Sequence, residues 1–488
     1  MTDCVLSIDQ GTTGTTALLL DQTVSVVASS NKEFPNHYPA PGLVEHDLDE
    51  IWASVEAAVT AALAKAGPVN IVAIGITNQR ETCVFWDAVT GEPIHRALVW
   101  QDRRTSDFCG ALKAAGHEAM IRSKTGLVID PYFSGTKAKW LLDAVDGARA
   151  RAAAGTVLFG TIDSWLAWRL CGAHATDPSN ASRTLLFNIH TMDWDDDLLD
   201  LFGIPRACLP RICDNAEQLG ATRGLKFLPD GIPVSGMAGD QQAALFGQAC
   251  FGQGDAKCTY GTGAFILMNT GQQAVTSHTG LLTTVGWRLN GSVTYALEGS
   301  AFIAGAAVQW LRDGLGVIAT AEEIESLART VDDTGGVVFV PALAGLGAPH
   351  WRPEARGMVS GITGGTTKAH LARAVLEGIA LQIADILGAM ESDSEIQLRE
   401  LKVDGGAARN DLLMQFQADV LRTRCVRPTV LETTALGSAF LAGLGVGFWK
   451  SEERVRETWS EDSTFTPNMS DDGVEGHLAA WAEAVAKA

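Results

Sequence analysis

A loop rich in threonine and glycine, Asp9-Gln-Gly-Thr-Thr-Gly-Thr-Thr16, follows directly on an apolar run. These residue types suit an anion. Backbone N–H groups in a tight turn can wrap phosphate oxygens, the hydroxyls of Thr12 and Thr13 add donors, and Gly14 permits close backbone approach. Asp9 closes the preceding run, where a carboxylate can hold Mg²⁺ through water. The same letters also make an ordinary hairpin turn whose threonines bond their own backbone. Two further turns repeat the pattern, Gly261-Thr-Gly263 and Asp404-Gly-Gly406. Three such turns, spread over both halves of the chain, are what a nucleotide gripped from two sides requires. Neither a Walker A sequence nor the glycine loop of protein kinases is present.

Asp240 follows a second apolar run, in Ala238-Gly-Asp-Gln-Gln242. In open α/β sheets ligands bind beyond the carboxyl ends of strands, and a carboxylate there can take the proton of an attacking hydroxyl. Asp at a strand-to-helix junction is equally a helix N-cap. Arg80-Glu81, a charged pair after an apolar run, can donate to and accept from adjacent hydroxyls of a small polyol, or form a salt bridge of no catalytic meaning. Trp100, Tyr132 and Phe265 can wall such a pocket or serve as plain core.

These residues need elements to hold them. Short apolar runs at 5–8, 17–20 and 24–28, joined by tight turns, predict antiparallel hairpins. Asp47 N-caps a helix with Glu50 as its capping-box partner, and Ile51, Val55, Val59, Ala62 and Leu63 mark one apolar face before Gly67-Pro68 stops it. Strands are expected at 71–76 and 234–238, the second followed by a helix over 241–249. A second strand–turn–strand, 256–260 and 264–268, echoes the first hairpin and hints at two related lobes. Helices are expected at 301–311 and 368–390, then a strand at 401–403 and a helix from Asn410. Alternation of this kind means α/β layers. The tail beyond residue 460 is polar and acidic and gives little signal.

At 488 residues the chain exceeds one ordinary core. A net charge of −20 repels nucleic-acid backbones and anionic membranes, so no nucleic-acid partner is expected. Nine scattered cysteines without a CxxC pattern fit free thiols in a reducing cytoplasm. The N-terminus has no signal-peptide pattern, and the most apolar stretch, 435–449, is too short to span a bilayer and reads as a buried helix.

Taken together, these stretches resemble the FGGY carbohydrate kinases, and among them the glycerol-phosphorylating branch. The resemblance is collinear from about residue 4 to 449. It is carried by Asp9-Gln-Gly-Thr-Thr13, Gly75-Ile-Thr-Asn-Gln-Arg-Glu-Thr82, Val99-Trp-Gln-Asp-Arg103, Asn180-Ala-Ser-Arg183, Gly239-Asp-Gln-Gln242, Thr259-Tyr-Gly-Thr-Gly263, Tyr295-Ala-Leu-Glu-Gly299 and Val403-Asp-Gly-Gly-Ala407, among others. It implies a two-lobe, actin-like or hexokinase-like (ribonuclease H-like) ATPase fold with the active site between lobes at 1–246 and 247–488. It further implies a transferase of glycerol metabolism that makes sn-glycerol 3-phosphate from ATP, working as a homo-oligomer, dimer or tetramer. Glycerol would meet Arg80, Glu81, Tyr132, Asp240 and Gln241, with Trp100 and Phe265 as walls and Asp240 as general base. ATP would meet Thr12, Thr13, Gly14 and Thr262 through its phosphates, and Gly305, Gln309, Gly406 and Asn410 on the nucleotide side. Asp9 and Asp240 would organise Mg²⁺ through water.

The resemblance has departures. Members of the branch carry an Arg where this chain has Thr16. The glycine-rich segment that binds a sugar bisphosphate in some bacterial members is replaced by Thr222-Arg-Gly-Leu-Lys-Phe-Leu-Pro-Asp230, so that regulation is not expected. Rival readings are a kinase for a tetritol or pentulose, a non-transferring actin-like ATP-binding protein, and a weakly active sensor descended from a kinase.

Overall fold

The computed structural model describes residues 1–488. Strands β1 (Thr2–Gln10), β2 (Gly14–Asp21) and β3 (Val26–Glu33) form an antiparallel meander. The third strand starts later than the sequence predicts. Val24 sits in the turn at φ 64, and the Asp21 carboxylate holds the N–H groups of Thr23 and Ser25 at 2.8 and 3.0 Å. Helix α1 (Leu48–Ala66) is N-capped by Asp47, which accepts from the Asp49 N–H at 3.0 Å. Glu50 does not complete the expected capping box; its carboxylate meets His37 Nε2 at 2.6 Å. Gly67 ends the helix at φ 69, a conformation open to glycine.

Strand β4 (Val69–Asn78) then lies parallel to β1. An excursion follows that packs a four-stranded sheet and short helices around its own core. It includes the single-turn helix α2 (Pro178–Ala181). Strand β5 (Pro233–Gly239) returns parallel to β4 and leads straight into α3 (Asp240–Gly247).

The second half repeats this plan. Strands β6 (Asp255–Tyr260) and β7 (Ala264–Gly271) form a hairpin, β8 (Leu282–Leu289) and β9 (Ser292–Ala301) another, and β9 pairs with β7. A short helix α4 (Gly305–Gln309) and the long helix α5 (Lys368–Ser394) precede β10 (Glu400–Asp404), α6 (Asp411–Leu421), β11 (Cys425–Pro428) and α7 (Thr433–Gly445). β10 runs parallel to β6, and β11 parallel to β10. The order β3-β2-β1-β4-β5 in one sheet therefore matches β9-β7-β6-β10-β11 in the other, with the same directions. The hairpin echo in the sequence is a whole-sheet correspondence.

One further sequence expectation needs correction. The helix expected at 301–311 starts four residues late. β9 continues to Ala301 because that residue pairs with Ala264, so α4 begins only at Gly305 and relaxes into a π-turn over Trp310–Gly314. The weak-signal tail is ordered: β12 (Glu461–Phe465) joins the sheet, and the helix Asp471–Lys487 buries Trp481, whose indole N–H donates to Asp385 at 2.7 Å.

Helices α3 and α7 cross at the junction of the halves. A Cβ on Gly437 would stand 1.8 Å from the Ala243 carbonyl oxygen, and one on Gly247 2.0 Å from that of Thr433, so only glycine allows this approach. α7 lies on the sheet of the first half, where Gly75 and Gly236 leave room for the backbone at Ser438 and Ala442. Phe246, Leu267, Trp287, Leu436 and Phe440 fill the shared core. No helix is long and apolar enough to cross a membrane.

Candidate functional site

The carboxyl ends of β1, β4 and β5 stand side by side, in register Asp9 to Thr77 and Ala238 to Thr77. They bring Asp9, Arg80-Glu81 and Asp240 to the same end of the sheet. The first turn closes with the Gly11 N–H donating to the Gly14 carbonyl at 2.9 Å. In the second half the turn after β6 closes the same way, Gly261 to Gly263, also at 2.9 Å. Thr13 and Thr262 are exposed at the tips, while Thr12 Oγ1 accepts from Trp100 Nε1 at 3.0 Å. Gly14 is buried, and a Cβ there would press to 3.0 Å from the Lys32 carbonyl oxygen. Thr16 accepts from Asn31 Nδ2 at 2.9 Å.

Behind the first turn lies a buried relay. Gln79 Nε2 reaches Gly11 O and Gln10 Oε1, each at 3.1 Å, and His46 Nδ1 at 3.2 Å; His46 Nε2 in turn meets Asn36 Oδ1 at 2.5 Å. The ring is therefore neutral, with its proton on Nε2. Burial, with His37 nearby, lowers its pKa to about 4.

Arg80 is the hub of the charged cluster. Its guanidinium grips Glu298 with both arms, Nη1 to Oε2 at 2.5 Å and Nη2 to Oε1 at 2.9 Å, and Nε lies 3.1 Å from Asp240 Oδ1. Arg183 donates to Glu81 at 2.7 Å and to Glu298 at 3.1 Å. Burial pushes Glu298 up, but Arg183 and Arg80 outweigh it and hold the carboxyl at about 2. Asp240 differs. Burial raises its pKa against the pull of Arg80 and Lys257, and its side chain keeps 29% of its exposure while Arg80 and Glu81 keep 2%. A partly open carboxylate with raised proton affinity can accept a proton from a bound hydroxyl. Glu81 holds a left-handed backbone, φ 62, a costly conformation for a residue with a Cβ, and its carboxylate accepts from Arg183.

Tyr132 packs edge-on to Trp100, centroids 5.6 Å apart, with the Arg183 guanidinium 5.7 Å from its ring. Phe265 pairs with Thr259 in the β6–β7 ladder, and its neighbour but one, Leu267, enters the shared core beneath α3. Gln241 Oε1 accepts a short hydrogen bond from Lys257 Nζ. On the far side, Gly305 abuts Gly261 (N–H to carbonyl, 3.0 Å) and Gly405 abuts Tyr260. Gln309 and Gly406 are exposed close by in the chain, and Asn410 caps α6 through the Leu413 N–H at 2.9 Å.

Burial and the nearby Asp240 carboxylate raise Asp9 to about 7. A carboxylate raised by a neighbouring one fits a divalent cation that keeps most of its water, and no cluster of three ligating side chains offers a full protein cage.

Residues 4–247 match the N-terminal domain of the FGGY family of carbohydrate kinases, and residues 256–446 match its C-terminal domain. The chain belongs to the FGGY kinases. This FGGY kinase is 60% identical over 490 aligned residues to a glycerol kinase of Myxococcus xanthus, covering 99% of both chains. It is 58% identical to one of Dechloromonas aromatica, covering 99% of this chain and 96% of that one. Its fold superposes on the crystal structure of Plasmodium falciparum glycerol kinase with ADP at a TM-score of 0.95, with 37% identity, covering 100% of this chain and 98% of that one.

Three members of the cluster escaped sequence reasoning. Glu298, Arg183 and Lys257 lie in stretches that carry the resemblance or just before one, yet no role was read for them. The available signal was a charge inside a buried strand: Glu298 within Tyr-Ala-Leu-Glu-Gly on β9, and Lys257 between Ala256 and Cys258 on β6.

Proposed function

We propose that this FGGY kinase transfers the γ-phosphoryl group of ATP to a terminal hydroxyl of glycerol, giving sn-glycerol 3-phosphate, in the crevice between its lobes. The observation that supports the reading is the Arg80–Asp240 contact at 3.1 Å, a proton acceptor beside a guanidinium, together with a phosphate-sized turn in each half of the chain. The high identity to glycerol kinases along the whole chain supports glycerol over a tetritol or pentulose.

In this reading Arg80 and Glu81 orient the glycerol hydroxyls, Tyr132, Trp100 and Phe265 limit its length, and Gln241 flanks the reacting end. Asp240 takes the hydroxyl proton as the oxygen attacks in line. Thr12, Thr13, Gly14 and Thr262 meet the phosphates, and Gly305, Gln309, Gly406 and Asn410 line the nucleotide side. Mg²⁺, when bound, neutralises charge on the phosphates, and Asp9 and Asp240 are the residues that would hold its water shell. Residues 1–246 and 247–488 act as the two jaws, and their approach excludes water that would otherwise hydrolyse ATP. Uniformly free cysteines support work in the cytoplasm, and a dimer or tetramer is the proposed assembly.

The test is ADP release with ATP, Mg²⁺ and either glycerol, erythritol or xylulose. Glycerol should give the highest kcat/KM. Release that ignores all three alcohols would end the proposal.

A further inference from the structure

We propose that Lys257 is a further catalytic residue of this reaction, supplying positive charge to the phosphoryl group in flight. The inference rests on the phosphoryl-transfer reading above.

The basic side chains of the cluster are unequal. Arg80 and Arg183 are consumed by Glu81, Glu298 and Asp240. Lys257 is fully buried, yet its ammonium bonds only to neutral oxygens, Gln241 Oε1 and Thr259 Oγ1, the latter at 3.0 Å. Asp404 and Asp240 act on this ammonium through space but neither pairs with it, so the direct contact is open to an anion that arrives with a ligand. The other such lysine, Lys137, is spoken for by the Tyr132 and Phe133 carbonyls, at 2.6 and 3.4 Å. Those bonds hold a loop. The oxygens around Lys257 belong to side chains able to rotate away.

Its position fits the need. Lys257 and Thr259 project from the same face of β6, which ends at the turn Gly261–Gly263. Gln241 is the residue after Asp240 on α3. Nζ therefore links the residue after the proposed base to the strand bearing the second phosphate turn, beside the path proposed for the phosphoryl group. Along that path a bond forms between the glycerol oxygen and the γ-phosphorus. The bond from that phosphorus to the β,γ-bridging oxygen breaks, its electron pair leaving with ADP, and the hydroxyl proton passes to Asp240. Lys257 forms and breaks no covalent bond. It offsets charge on the equatorial oxygens, which is greatest midway.

Lys257→Met should lower kcat by about 100-fold, the loss typical of one donor aimed at developing charge, with KM for glycerol and ATP within about threefold. ADP affinity should hold, while affinity for ADP with aluminium fluoride, a mimic of the phosphoryl in flight, should fall about 100-fold. Lys257→Arg should recover at least about a tenth of the wild-type kcat. If Lys257→Met does not fold, Lys257→Gln carries the same expectations. A folded neutral variant with near-normal kcat, or with a loss confined to KM for glycerol (Lys257 merely steadying Gln241), or with unchanged fluoride-complex affinity, overturns the inference. If the wild type releases no ADP with glycerol, the functional reading fails instead, and the fluoride-complex comparison still judges Lys257.

Discussion

Arg80 and Glu298 face each other from opposite lobes as a two-armed ion pair, at 2.5 and 2.9 Å. The guanidinium proposed to meet the substrate is thus positioned by a carboxylate on β9, far along the chain. Glu298→Gln leaves two buried guanidinium groups short of an anion. Loss of one partner from a buried pair costs about 3–5 kcal/mol. Chemical denaturation should register a loss of that order, and KM for glycerol should rise more than kcat falls as Arg80 loses its anchor.

Asp240→Asn keeps the shape of the carboxylate and removes its basicity. Turnover should fall by about 10²–10⁴-fold, the range for loss of a general base. Glycerol binding, read by calorimetry, should change far less.

His46 predicts an acid-side weakness. Its folded pKa of about 4 lies below the ordinary 6.5, so between these values the unfolded chain binds more protons than the folded one. The stabilisation is therefore complete above pH 6.5, drains away as pH falls, and is gone below about 4, a total of about 3 kcal/mol. Because protonation also ejects Gln79 from Nδ1, ATP affinity should weaken over the same interval. His46→Gln should flatten both profiles; a stability curve unchanged by that substitution would contradict the assignment.

Gly437→Ala sets a methyl group 1.8 Å from the Ala243 carbonyl oxygen, with backbone on both sides and no side chain to give way. Overpacking of this kind costs about 1–3 kcal/mol or more. The thermal midpoint should drop, whereas alanine at Gly388, which has nothing within 4 Å, should leave it unchanged or raise it.

The sheets, α1 with its Asp47 cap and the hairpin echo were legible because they rest on local pattern: alternation, helical spacing, turn residues. Asp9, Arg80, Glu81 and Asp240 were legible because each ends an apolar run. What escaped depends on pairing at a distance. Ala301 is a strand residue because Ala264 lies opposite, and Glu298 matters because Arg80 and Arg183 do. Glu50 looked like a capping residue until His37, on a loop before it, claimed its carboxylate. Local letters say nothing of such partners.

The placement of α7 has a bearing on how the chain is assembled. The helix nearest the C-terminal end of the second sheet covers the face of β1, β4 and β5 through Ser438 and Ala442. During synthesis the ribosome releases that cover only after residue 445, so the first sheet waits half-clothed for most of translation. The two halves, though built on one plan, are obligate mates: a fragment ending near residue 247 would show its bare apolar sheet to water and be a client for chaperones.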